Sequence, residues 1–285
     1  SVFPADNAAN TLWFPSPIKS WPLYSSKFIS PSIGLNPFVY DDPNKIAITI
    51  SAALKAMYVN AHPEIEDTYR EEYIIQAVEN LAIMLKEMYP RLNGGNLPNL
   101  DDMLKMLTNY SIVEKMCEIM CQDPELAEKY SSQITYFKRN FYENAPGKAI
   151  TEQYLYLAVS QLDNLLRLPG VKTILCNRHN NIDFDKALAN GEVTFVCTRR
   201  GDLGRVSHKA FGLFFLLSMQ NAVLRRPGNE NSRIPHFLYI DEFPDFICKD
   251  TEAIFTLYRK YKVATTITAQ NLSQLETPTS KENYR

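Results

Sequence analysis

The chain has 285 residues, 45% of them hydrophobic and 22% charged, long and apolar enough to bury one large domain or two modest ones. Thirty Lys and Arg against 32 Asp and Glu leave a formal charge of −2, so no overall field announces a nucleic-acid or membrane partner, and such a partner must be met by a local patch. Ten glycines against 17 prolines exclude collagen-like and Gly-rich low-complexity chains.

Residues 1 to 44 read as a proline- and aromatic-rich segment. Seven prolines fall before residue 45 (Pro4, Pro15, Pro17, Pro22, Pro31, Pro37 and Pro43), together with both tryptophans, Trp13 and Trp21. Prolines at that density forbid a long helix or central strand, while the aromatics argue against a free linker. An extended segment packed on a core is expected. No basic-then-apolar leader and no initiator Met stand at the start, so Ser1 reads as a processed or artificial terminus and the compartment as cytoplasmic.

Residues 45 to 144 carry helical spacing and read as an all-α domain of about four helices. Ile46 to Val59 forms one. Thr68 and Glu71 make a capping box, after which Ile74, Ile75, Val78, Leu81, Ala82, Leu85 and Met88 recur at three and four, ending at Tyr89-Pro90. A further helix is expected from Leu100 to Met120, and Asp123-Pro124-Glu125 supplies a cap, a first-turn proline and a first-turn acid for the next. The five cysteines form no CxxC pair and none has metal-ligand spacing from a histidine. Cys117 and Cys121, four apart, are expected on one buried face. After the break Asn144-Ala-Pro-Gly147 another helix follows at 151 to 168.

Residues 145 to 285 read as α/β. Short β-branched runs at Val171 to Leu175, Val193 to Thr198, Phe237 to Ile240 and Val263 to Ala269 are separated by helical stretches near 206 to 226 and 251 to 260. That order implies parallel βαβ units, with helices expected on both faces of the sheet. The Phe211, Phe214, Phe215 and Met219 stripe reads as core. The run Ala210 to Met219 is about half the length needed to span a bilayer, so no transmembrane segment is expected.

The chemistry concentrates at two strand ends. In Pro235-His-Phe-Leu-Tyr-Ile-Asp-Glu-Phe-Pro244 an apolar strand ends in two carboxylates, at the edge where open parallel sheets bind ligands. This is the arrangement of a Walker B motif: Asp241 would help to hold Mg²⁺, through water, and Glu242 would orient or polarise an attacking water. The next strand ends in Gln270, placed to sense a γ-phosphate. Arg199 and Arg200 follow another strand tip and suit a finger on a neighbouring subunit's nucleotide. A surface acid pair, a Gln capping a turn and a solvated basic face are the plain alternatives. The histidines His62, His179, His208 and His236 are scattered, and no serine or cysteine has a nucleophile elbow.

The runs Val193 to Gly204, Leu224 to Pro227, Phe237 to Pro244 and Tyr258 to Gln270 resemble the TraG/TraD type of conjugative coupling ATPases, the type IV secretion motors that pass relaxase-bound DNA to a membrane channel. Gly34-Leu-Asn-Pro-Phe38 is similar to a segment that follows the early strands of that motor. The resemblance implies a RecA-like parallel sheet of the P-loop NTPase type, incomplete here, with an inserted all-α domain at 45 to 144. It implies a homo-oligomeric ring, hexameric in keeping with the type, at the cytoplasmic face of the membrane. It also implies Mg²⁺ and ATP as cofactors of the full-length protein, a relaxase or relaxosome accessory protein docking on the all-α domain, and contact with channel components and DNA. The catalytic pair would be Glu242 and Gln270, with Asp241, Arg199 and Arg200 on the cofactor side and Asp241 on the metal.

The phosphate cradle G-x-x-x-x-G-K-[ST] is absent. The only Gly-Lys pair, Gly147-Lys148, is followed by Ala149 and has Tyr142 where the first glycine belongs. A chain cut from a longer protein after its P-loop is expected, one that alone binds ATP weakly or not at all. Two other readings stand beside this one: a non-catalytic docking module, and the type IV secretion ATPase that powers assembly.

Overall fold

A computed structural model of the chain describes residues 10–12, 34–40, 42–61, 68–178, 182–196 and 200–275. The chain divides into a helical unit, Gly34–Asn180, and a second unit made of Ser1–Ile33 with Asn181–Arg285.

In the helical unit a 3-10 turn at Pro37–Val39 precedes α1 (Pro43–Ala61), α2 (Thr68–Leu92), α3 (Leu100–Thr108), α4 (Tyr110–Gln122), α5 (Pro124–Lys129), α6 (Ser131–Asn140), α7 (Lys148–Leu166) and α8 (Pro169–Leu175). α1 lies along α2, and α7 packs on α1, α2 and α3. Their inward stripes, Ile46, Ile50 and Leu54 from α1, Val78, Leu81 and Leu85 from α2 and Leu155 and Leu162 from α7, are buried, as a shared apolar seam requires.

Four sequence expectations change here. The helix expected over 100 to 120 is two helices, because Asn109 takes extended backbone (φ −138, ψ 92) and its side chain accepts from Ser111 N, capping α4. A short side-chain amide that satisfies a nearby N–H competes with helix continuation. The run Val171 to Leu175 is helix α8: Pro169 stands at its first turn, and Val171, Ile174 and Leu175 bury at helical spacing, which overrides their β-branched bias. The unit extends to Asn180 instead of ending near 144, since Asn144 to Gly147 is a turn inside it and α7 packs back on α1. Cys117 is buried but Cys121, in the last turn of α4, is exposed.

The second unit contains β1 (Asn10–Leu12), α9 (Phe184–Asn190), β2 (Thr194–Val196), α10 (Arg200–Leu224), β3 (His236–Ile240), α11 (Ala253–Thr256) and β4 (Val263–Ile267), with 3-10 turns at Phe243–Phe246, Lys249–Glu252, Tyr258–Tyr261 and Leu272–Leu275. β1 pairs in parallel with β2, Asn10 opposite Thr194. β3 pairs in parallel with β4, from His236 opposite Val263 to Ile240 opposite Ile267. The chain is therefore mostly helical, and the parallel strands expected stand, among the described residues, in two small two-stranded sheets. β1 falls within the proline-rich segment; the rest of that segment, apart from residues 34–40 and 42–44, lies outside the described residues.

Arg226 is buried. Its guanidinium donates to the carbonyls of Tyr261 (2.9 Å), Leu188 (2.7 Å) and Ile234 (2.6 Å), fixing the end of α10 to the start of β3 and the turn before β4. Of the expected core stripe Phe211, Phe214 and Met219 are buried, and Phe215 is half-buried with its ring against Phe184. β3 alternates, with Phe237 and Tyr239 61% and 72% exposed, so one face of this sheet is uncovered among the described residues. No helix among the described residues is long and apolar enough to cross a membrane.

Candidate functional site

The parallel register of β3 and β4 carries both strands to a common end. The ladder continues one step past the strands: Thr268 N donates to Ile240 O (3.0 Å) and Phe243 N to Thr268 O (3.0 Å). Asp241, Glu242, Thr268 and Gln270 are thereby gathered on one sheet edge.

Asp241 is exposed, and its Oδ1 accepts from Thr268 Oγ1 and from Glu242 N (3.0 Å). Its second oxygen has no protein partner among the described residues. Glu242 adopts left-handed backbone (φ 51, ψ 43), uncommon for a residue with a Cβ. The conformation is held from two sides, by Thr268 Oγ1 accepting from Glu242 N (3.1 Å) and by the Phe243 N–H in the ladder. It turns the chain sharply into the 3-10 helix at Phe243–Phe246 and leaves the Glu242 side chain at the edge. There Gln270 Nε2 donates to Glu242 Oε1 (3.3 Å), while Arg200 Nη1 stands 3.6 Å from Glu242 Oε2.

A second layer of charge lies beside the tip. Asp245 Oδ2 accepts from Arg200 Nη1 (3.0 Å), Asp245 Oδ1 is 3.1 Å from Lys209 Nζ, and His208 Nε2 is 3.6 Å from Asp245 Oδ2. Three basic side chains of α10 thus converge on one carboxylate, whose charge would be costly to bury without such partners.

The structure brings Asp241, Glu242, Gln270 and Arg200 into one neighbourhood, and Arg199 lies outside the described residues. Thr268, Asp245 and Lys209 were not singled out by sequence. Thr268 had a usable signal, a hydroxyl two residues before Gln270 at the same strand end. Asp245 and Lys209 are far apart in sequence, and only the fold pairs them. Among the described residues no three His, Cys, Asp or Glu side chains form a metal-binding group. The tip can therefore offer a cation one carboxylate and can accept a proton or hydrogen bond at Glu242.

No protein-family profile and no curated protein matches the sequence. Among solved structures the chain is similar to the bacterial conjugative coupling protein TrwB in an unbound form, with 15% identity and a TM-score of 0.45 over 80% of this chain and 47% of that one. The chain spans about half the length of that structure.

Proposed function

We propose that this chain is part of a nucleotide-driven motor of the conjugative coupling type, a RecA-like α/β core carrying the Asp241, Glu242 and Gln270 edge, with the helical unit as the surface that docks a relaxase or its accessory protein. One observation carries the reading. β3 and β4 are neighbouring, in-register parallel strands whose carboxyl ends place an acidic pair and a glutamine side by side, at the edge where parallel sheets bind ligands.

The residues fit the metal side of such a site. Asp241 has one oxygen pinned, and the other meets no partner among the described residues, which suits a water-mediated contact to Mg²⁺, an ion that keeps several waters and takes few protein carboxylates. The phosphate cradle is not encoded in these 285 residues, so its lysine and hydroxyl would come from elsewhere in the full-length protein. Bound Mg²⁺ and ATP would supply the scissile phosphoanhydride and the charge that neutralises it.

This chain's own residues have distinct tasks. Asp241 is oriented by Thr268. Glu242 accepts a proton from, or orients, the attacking water. Gln270 fixes the rotamer of Glu242 through the 3.3 Å hydrogen bond. Arg200, 47% exposed, offers a cation to negative charge near Glu242. The experiment is DNA transfer by the full-length protein carrying Glu242→Gln, which removes the charge and keeps the shape. Loss of transfer by about a hundredfold or more is expected for a residue in acid–base work. Preserved transfer would favour a docking module whose strands are scaffold.

A further inference from the structure

Arg200 lies on one side of Gly204 and the His208–Lys209 pair on the other, and at Gly204 α10 leaves helical geometry (φ 73, ψ 165). That backbone region is essentially reserved for glycine. An added Cβ would meet nothing within 4 Å, so the restriction is conformational and not a matter of space. A single carboxylate spans the break. Asp245 Oδ2 is 3.0 Å from Arg200 Nη1, before the glycine, and Asp245 Oδ1 is 3.1 Å from Lys209 Nζ, after it.

The two halves of this clamp differ in burial. Lys209, His208 and Asp245 side chains are 10%, 8% and 13% exposed, whereas Arg200 is 47% exposed. Breaking the buried half would strand a charge away from water. Releasing Arg200 returns its guanidinium to solvent at little cost. The hydrogen bond that holds Arg200 to Asp245 also sets its 3.6 Å separation from Glu242 Oε2.

We infer that Asp245 is a positioning residue and a latch: it holds the first turn of α10, Arg200–Leu203, against the β3 tip, and Gly204 is the hinge on which that turn swings. Latched, Arg200 stands beside Glu242. Released, it is free to meet negative charge elsewhere. The latch needs no nucleotide, and the inference rests on the proposed function only for the meaning of Arg200 beside Glu242.

Tryptic cleavage after Arg205, which is exposed beside the hinge, reports the open state when opening is fast relative to cutting. In the present chain, without nucleotide, Arg200→Gln should speed that cleavage about fivefold, in line with loss of a partly exposed ion pair, and leave the urea midpoint unchanged. Arg200→Lys, which keeps one ionic contact, should restore the slow rate. Gly204→Ala disfavours the latched backbone, so it should speed cleavage by itself, and Arg200→Gln should add nothing to it. Wild-type cleavage rates in Arg200→Gln, no rescue by lysine, or an undiminished Arg200→Gln effect in the Gly204→Ala background would each overturn the latch. Failure of ATP hydrolysis in the full-length protein would leave all three results standing.

Discussion

Thr268 and Asp241, 27 residues apart in sequence, meet at the shared end of β4 and β3: the Thr268 hydroxyl donates to Asp241 Oδ1 and also receives the Glu242 N–H at 3.1 Å. One hydroxyl therefore orients the carboxylate and supports the left-handed turn that follows it. Thr268→Val keeps the shape and removes both bonds. It should lower stability by about 1 kcal/mol, the usual value of such a hydrogen bond, while Thr268→Ser stays near wild type. Urea unfolding of the three proteins checks this, and equal midpoints would show that the hydroxyl supports nothing.

Asn99 ties the helical unit together. Its Oδ1 caps α3 at Asp102 N (3.1 Å), and its Nδ2 donates to Cys176 O (2.8 Å) at the end of α8. The residue is 5% exposed, so Asn99→Ala removes a cap and also takes the donor from the part-buried Cys176 carbonyl. A loss of about 2 kcal/mol is expected, read as a lower midpoint of thermal unfolding. An unchanged midpoint would mean that water replaces both contacts.

Gly212 in α10 is required by contact. A Cβ there would lie 2.1 Å from the Phe246 ring, and Phe246 is buried. Alanine's better helix propensity favours the change by about 1 kcal/mol, but displacing a packed ring costs about 1–3 kcal/mol. Gly212→Ala should therefore destabilise, and Gly212→Ala with Phe246→Leu should recover part of the loss. A more stable single variant would contradict the packing described.

Burial, reinforced by the nearby Arg226 charge, holds the His236 imidazole below its ordinary value of 6.5. The unfolded chain takes up this proton near 6.5 and the folded chain only at lower pH. The stability contributed by neutral His236 is thus complete above 6.5 and lost as pH falls through 6.5 toward the folded value. Between about pH 8 and about pH 5, wild type should lose more stability than His236→Gln. Parallel curves would show that His236 does not titrate differently in the two states.

The thiols should separate by environment. Cys121 is exposed, whereas burial raises Cys117 and pushes Cys176 up to about 11. At about pH 8 a thiol reagent should modify Cys121 and spare Cys117 and Cys176 until denaturant is added. Peptide mapping after labelling reads this directly.

Much of the site was legible because its signals are local. An apolar run ending in Asp241-Glu242 and a β-branched run ending in Gln270 each announce a strand and its tip. The parallel order of β3 and β4 follows from the helical stretch between them. What escaped was long-range. Asp245 meets Lys209 only because α10 folds back on the turn after β3, and no spacing rule links them. The three carbonyls that hold the buried Arg226, of Leu188, Ile234 and Tyr261, are brought to it by the fold, and no local spacing announces them. The α8 run has the composition of a strand and the burial of a helix, and Pro169 with tertiary packing decided it. Asn109 split a helix by a side-chain bond that periodicity does not register.

The most direct test of the central claim is steady-state ATP turnover by the full-length protein, with Mg²⁺, in wild type and Glu242→Gln. The account predicts turnover in wild type that falls by about a hundredfold or more in the variant. Equal rates in the two proteins, or no turnover in wild type, would contradict it.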